Sequence, residues 1–278
     1  MIAHYALGGG LGHLVRARAV AEALGHEDRA VLLTASPFAG DQRVTGGLPV
    51  ERVPDWLEHD PTALRGWIEG LAPEELVVDA FPGGILGELC GFDAAPCRHV
   101  ARLLRWERYG RRLDGPLPHF DETFVLEPLG EIHARALEGA SDRIAPLELP
   151  ASTTASPRAA VDEPHWLVVH AGPEEEVAEL IAYARERMAA EGASARLLVI
   201  APARPPALPR GALWLDAHPA TPYFDAAERI VTAAGFNAMR EGAPYASKHH
   251  PVPLPRPLDD QYTRAARAQR AAAAAHGG

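Results

Sequence analysis

The chain has 278 residues, 47% hydrophobic and 23% charged, with a formal net charge of −10. That size allows one large domain or two ordinary ones with ample material for a core, and the acidic balance excludes a protein built mainly to bind nucleic acid. Cys90 and Cys97 form neither a metal-ligand pattern nor a disulfide framework, which points to a reducing cytoplasm.

In chain order, the opening MIAHYAL does not read as a signal peptide. No apolar run reaches the length of a membrane span, although contact with a membrane surface stays open. Short apolar runs at 2–7, 29–34, 50–53, 75–79, 97–102 and 122–126 read as strands, with helical patterns at 13–24 and 62–71 between them. A stretch rich in Ser, Thr, Ala and Pro, residues 151–164, reads as a linker. The pattern then restarts with a strand at 166–171, a helix at 174–191, a strand at 196–201 and shorter strands at 212–216 and 229–233. The alanine-rich stretch from Arg264 onward reads as a helix-prone tail that frays. Alternating strands and helices predict an α/β protein with parallel sheets, in two halves covering 1–150 and 165–278. Ligands in such folds bind outside the carboxyl ends of the strands, here expected in a cleft between the halves.

Residues 4–24, HYALGGGLGHLVRARAVAEAL, set Gly8, Gly9, Gly10 and Gly12 between a strand and a helix. Such a loop is a tight turn, or it brings backbone N–H groups close to a phosphate or another polar group. An NAD site does not fit, because the second strand ends in LLTASPF, where the dinucleotide fingerprint wants a carboxylate. His13 falls where the helix begins, a position that disfavours the imidazolium and suits a general base, and Arg16 follows one turn later on the same face. Asp79 ends the fourth predicted strand, either pointing toward the same cleft or serving as a turn residue.

In the second half, Gly172 lies in a strand-loop-helix turn and offers a phosphate-side wall. Farther on, TAAGFNAMRE makes a glycine turn into a helix, so backbone at Gly235, Phe236 and Asn237 can hold an anion. Glu241, read as near the start of that helix, is either an exposed helical carboxylate or an acceptor for ribose hydroxyls. Asp259, Asp260 and Gln261 end the short, proline-stiffened strand and loop PVPLPRPLDDQ, either as a solvated turn or as hydroxyl contacts. His249 and His250 are adjacent and diverge, with no partner at ligand spacing, so no metal is expected there.

GGGLGHLVRARAVAEAL resembles the first glycine-rich loop of the GT-B-fold glycosyltransferases, in particular the family that makes lipid II. The Gly-x-Gly-His-x-x-Arg spacing of Gly10, Gly12, His13 and Arg16 is also similar to the UDP-sugar hydrolases of pseudaminic acid synthesis. TAAGFNAMRE followed by PRPLDDQ is similar to the donor-binding segment of the same superfamily. The resemblance implies two Rossmann-like domains facing across a cleft, a nucleotide-sugar donor (UDP-linked by the nearest patterns), inversion, and no cofactor or essential metal. It implies diphosphate contacts at Gly235, Phe236 and Asn237, beside the turn glycines Gly12 and Gly172 as phosphate candidates in their own right, ribose contact at Glu241, and sugar contacts at Asp260 and Gln261. His13 would be the base or an acceptor-side polar group, with Asp79 as its catalytic companion and Gly10 and Arg16 on the acceptor side. The segment SKHHPVPLP departs from the pattern, being more polar and proline-broken than the strand expected there. Acceptor and oligomeric state stay open, and a sugar-nucleotide hydrolase and a non-catalytic nucleotide-sugar-binding protein stand as alternatives. A periplasmic-type binding protein is disfavoured by the lack of a signal peptide.

Overall fold

The computed structural model describes residues 1–57, 59–150, 163–206 and 208–276. The linker expected at 151–164 falls outside the described residues as far as residue 162. The chain forms two compact units. The first comprises Met1–Pro150 and Pro257–Asp259; the second takes in the described residues from Glu163 to Arg256 and from Asp260 to His276.

The first unit runs β1 (Ile2–Tyr5), α1 (Leu11–Ala23), β2 (Ala30–Thr34), α2 (Gln42–Thr45), β3 (Val50–Arg52), α3 (Pro61–Gly70), β4 (Glu75–Asp79), β5 (Cys97–Ala101), α4 (Trp106–Tyr109), β6 (Glu122–Val125), α5 (Glu131–Glu138) and β7 (Ile144–Pro146). Its strands pair in parallel in the order β3-β2-β1-β4-β5-β6-β7. The central strands are continuous apolar runs because helices cover both faces of a parallel sheet, leaving no face that needs polar residues. Ala3, Tyr5, Leu33, Leu76 and Val78 pack with Leu64 and Ile68 of α3 in one core. α3 starts where Asp60 accepts from the Ala63 N–H and Pro61 takes the first turn, a position that needs no amide proton.

The second unit runs β8 (His165–Val169), α6 (Glu174–Glu191), β9 (Arg196–Ile200), β10 (Leu213–Leu215), β11 (Ala227–Ala233), α7 (Phe236–Gly242), β12 (His249–Val252) and α8 (Gln261–His276). The sheet is parallel, in the order β10-β9-β8-β11-β12. α6 buries Val177, Leu180, Ile181 and Ala184 at helical spacing against Trp166, Val168 and Val199, and Gly192 ends it in the left-handed conformation.

In each sheet the strand order reverses once, between β1 and β4 in the first unit and between β8 and β11 in the second. At such a switch point the loops leave in opposite directions and open a crevice at the carboxyl edge.

The structure differs from the sequence expectations at three places. α5 and β7 close the first unit where no element is expected. The strand read at the start of PVPLPRPLDDQ begins earlier, at His249, and ends at Val252: β12 lies at the sheet edge, where a proline costs no ladder bond on its open side. The alanine-rich stretch does not begin as a frayed tail, because α8 starts at Gln261 and buries Gln261, Arg264 and Ala265.

Candidate active site

At the switch point of the first unit, α1 follows β1 and Asp79 ends β4. Gly10 is the N-cap of α1, so the helix begins at Leu11 rather than at residue 13, and His13 is its third residue. Gly12 therefore lies in the first turn of α1, where backbone N–H groups have no acceptor within the helix. Nδ1 of His13 is 2.7 Å from Oδ2 of Asp79. Arg16 grips the same carboxylate from Nε at 2.5 Å and from Nη2 at 2.6 Å. The guanidinium and carboxylate are buried, at 4% and 5% side-chain exposure, while the imidazole keeps 16%.

Burial opposes ionisation of Asp79, but the Arg16 guanidinium and His13 outweigh it and hold the carboxyl well below its ordinary range. An ionised carboxylate only accepts, so Nδ1 of His13 carries the proton and Nε2 presents a lone pair. Burial lowers the His13 pKa; Asp79 pulls it up, while Arg16 and Arg102 push it down further. The imidazole is thus kept neutral chiefly by desolvation, not by the helix terminus alone as the sequence suggests.

Two supports were not evident from sequence. A β-carbon at Gly8 would lie 2.5 Å from Cδ2 and 2.7 Å from Nε2 of His13, so only glycine leaves the ring its place. Phe81 stacks on the ring at 6.0 Å between centroids, just past Ala80, whose φ of +66° turns the chain sharply after Asp79. Arg102, at the end of β5, is ion-paired with Asp259 and lies over the Phe81 ring, 5.7 Å from its centroid. Within the arginine-rich run RHVARLLRWERYGRR, Arg102 is thus buried and paired.

In the second unit, β11 leads through Ala233, Ala234 and Gly235 into α7, and Gly235 is its N-cap with no side-chain cap. The first turn, Phe236, Asn237 and Ala238, carries no acidic residue, so the positive end of the helix is not already neutralised.

Several expected roles change on inspection. Arg16 is not an acceptor-side cation: its guanidinium is buried against Asp79 and supports His13 through it. Gly172 makes a poor phosphate wall, because α6 opens with Glu174, Glu175 and Glu176, which repel an anion. Glu241 lies in the last turn of α7, not near its start, because the seven-residue helix gives way at Gly242 to the turn containing Pro244. Its carboxyl pKa is raised by burial, with Arg240 only 3.8 Å away in partial compensation. Asp260 caps α8, accepting from the Thr263 N–H at 3.1 Å and its hydroxyl at 2.8 Å. Gln261 is buried, with Oε1 accepting from the Leu254 N–H at 3.0 Å. These bonds hold α8 and the loop after β12, and they leave Nε2 of Gln261 beside Gly235, 4.0 Å from where a β-carbon there would lie.

No protein-family model matches the chain, and no curated protein matches its sequence. Among solved structures it is similar to SsfS6, a glycosyltransferase of Streptomyces sp. SF2575, with TM-score 0.59 and 14% identity over 98% of this chain and 85% of that one. It is also similar to the spinosyn forosaminyltransferase SpnP, with TM-score 0.59 and 15% identity over 97% and 83%. A third similar structure is the UDP-GlcNAc 2-epimerase from Methanocaldococcus jannaschii, with TM-score 0.51 and 12% identity over 97% and 92%. The fold is GT-B. The GT-B units of this chain carry the glycine loop with His13 on the first and the glycine-capped α7 on the second. Among the described residues, no helix is long and apolar enough to cross a membrane.

Proposed function

We propose that the chain is a glycosyltransferase that moves a sugar from a nucleoside-diphosphate donor to a hydroxyl acceptor, with inversion and without a metal. The observation that carries this reading is the His13–Asp79–Arg16 set at the switch point of a GT-B unit. In the transfer, the acceptor oxygen attacks the anomeric carbon as its proton passes to Nε2 of His13. The bond from that carbon to the diphosphate oxygen breaks, and the nucleoside diphosphate leaves. Asp79 holds the Nδ1 proton and stabilises the imidazolium that forms, as expected of a buried carboxylate behind a catalytic histidine.

Charge growing on the leaving diphosphate would be met by backbone N–H groups of Gly235, Phe236 and Asn237 at the start of α7, the chief source of stabilisation in such a site. Glu241 would take ribose hydroxyls, Gly12 would offer its backbone N–H to a phosphate, and Gly10 would line the acceptor side of His13. SsfS6, similar in fold, has been solved with thymidine diphosphate, which supports a nucleoside diphosphate as ligand class. Hydrolysis of the donor is the same chemistry with water as acceptor.

The test is release of nucleoside diphosphate from a panel of sugar nucleotides, with and without hydroxyl acceptors. His13→Asn is expected to lower turnover by about 10²–10⁴-fold, the usual contribution of a general base, while leaving donor affinity intact. Turnover unchanged in His13→Asn would remove His13 from the chemistry.

A further inference from the structure

The second unit holds another histidine–carboxylate–arginine set that the proposed reaction does not use. His170 follows β8, Glu176 lies in the first turn of α6 and Arg256 lies on the loop after β12. Nε2 of His170 is 2.7 Å from Oε2 of Glu176, and Arg256 grips both oxygens of that carboxylate. A β-carbon at Gly172 would fall 2.7 Å from Oε2 of Glu176 and against the His170 ring, so the set requires the glycine at that place in the loop.

Arg256 and His170 hold the Glu176 pKa below its ordinary value against the effect of burial, and the carboxylate is an acceptor only. The Nε2 proton of His170 therefore points at Glu176. Burial keeps His170 neutral despite the pull of that carboxylate, so Nδ1 bears a lone pair. Among the described residues Nδ1 makes no hydrogen bond, and it is not one of the fully buried atoms lacking a partner. It is open to solvent or to a ligand.

The position matters as much as the chemistry. β8 and β11 are neighbours, with Val169 opposite Thr232, so His170 emerges beside Ala233, two residues before Gly235. This is the switch point of the second sheet. The two helices that open there carry different charge: α7 has no acid in its first turn, and α6 has three. Phosphates are favoured at α7 and opposed at α6, whereas the α6 side favours groups that donate hydrogen bonds.

We infer that His170 is a ligand-contacting residue of this crevice, its Nδ1 accepting a hydrogen bond from a neutral N–H or O–H donor on the nucleoside, the base imide or a ribose hydroxyl. The assignment rests on the nucleotide-donor reading given above. The arrangement matches that of His13 in the first unit, with the bonded and open nitrogens exchanged.

Calorimetric titration of wild type and His170→Gln with UDP and with 2′-deoxy-UDP tests it. The glutamine amide can reach Glu176 much as Nε2 does, but puts no acceptor in the place of Nδ1. The expected result is about tenfold weaker UDP binding by His170→Gln at an unchanged melting temperature, a loss of about 1.4 kcal/mol. An equal loss with 2′-deoxy-UDP assigns the imide or the 3′-hydroxyl; a loss confined to UDP assigns the 2′-hydroxyl. Equal UDP affinity in the two proteins would reduce the set to a staple of the loop and overturn the assignment. Should His170→Gln fail to fold, the ¹⁵N resonance of Nδ1 in the wild type decides: it moves on saturation with UDP if it accepts a bond, and stays if it does not. Wild type that binds no nucleotide would overturn the donor reading as well, an outcome distinct from equal affinities.

Discussion

A β-carbon on Gly8 would stand 2.5 Å from Cδ2 of His13, well inside any real carbon–carbon contact. The glycines at the start of the chain thus divide their work. Gly8 makes room for the imidazole, Gly10 caps α1, and Gly9 and Gly10 lie in open space. Gly8→Ala is expected to push the ring off its bond to Asp79 and lower turnover by about 10²-fold, the scale of an ångström's misplacement. Nucleotide affinity should be unchanged. Steady-state kinetics beside calorimetry check this, and full activity in Gly8→Ala would show that the ring is free to sit elsewhere.

Arg16 acts on His13 at one remove. Arg16→Met would leave Asp79 buried with only the imidazole as partner. Removing one side of a buried pair costs about 3–5 kcal/mol, so the denaturation midpoint should fall. The guanidinium lowers the His13 pKa, so its loss should raise that pKa and move the acid limb of kcat/KM to higher pH. Arg16→Lys keeps the charge but not the two-point grip, and should fall between the two. An acid limb unmoved in Arg16→Met would separate Arg16 from the titration of His13.

The fold was largely legible in the sequence, and the site only partly. α6 occupies the expected residues 174–191, because an acidic first turn and a closing glycine mark its ends. The strands fall within a residue or two of their apolar runs, since parallel strands buried on both faces are uninterrupted apolar stretches. His13, Arg16 and Asp79 were each conspicuous, but their mutual bonds span 63 and 66 residues of chain and depend on β1 pairing with β4. The capping bonds of Asp260 were not read from sequence, although the spacing from Asp260 to Thr263 suits a helix start, because the prolines before it suggested a rigid ligand loop. The His170–Glu176–Arg256 set was hidden for the opposite reason: a glycine at a strand-to-helix turn suggested a phosphate, while the three glutamates behind it say otherwise.

If Asp260 is a helix cap, its loss is a matter of stability. Asp260→Ala is expected to cost about 1 kcal/mol and to leave affinity for a sugar nucleotide as it is, while Asp260→Asn, also a good cap, should be close to wild type. Chemical denaturation beside calorimetry checks this. Weaker sugar-nucleotide binding at unchanged stability would assign Asp260 to the sugar instead.

The fold should weaken in acid in two stages. Burial holds His4 and His133 at a pKa of about 3, and His99 and His249 at about 4. Each is neutral in the folded protein, while in the unfolded chain it takes a proton near pH 6.5. Between those values the unfolded state binds more protons, so stability is flat above about pH 6.5 and falls as pH drops toward 4. Asp79 adds a later loss: its folded pKa lies below the ordinary carboxylate value, so its contribution holds above about pH 3.9 and disappears as pH falls through the folded value. Urea midpoints from pH 8 to pH 3 check the sign. A midpoint that rises on acidification from pH 6.5 to pH 4 would mean that these histidines gain partners on protonation.

The most direct measurement is calorimetric titration of the purified protein with UDP, dTDP, GDP and ADP in EDTA, repeated with Glu241→Ala. The expected result is selective binding of one nucleoside diphosphate at micromolar concentration without metal, weakened in Glu241→Ala. No binding to any of the four would contradict a nucleotide-sugar donor and leave the α7 terminus as an ordinary helix start.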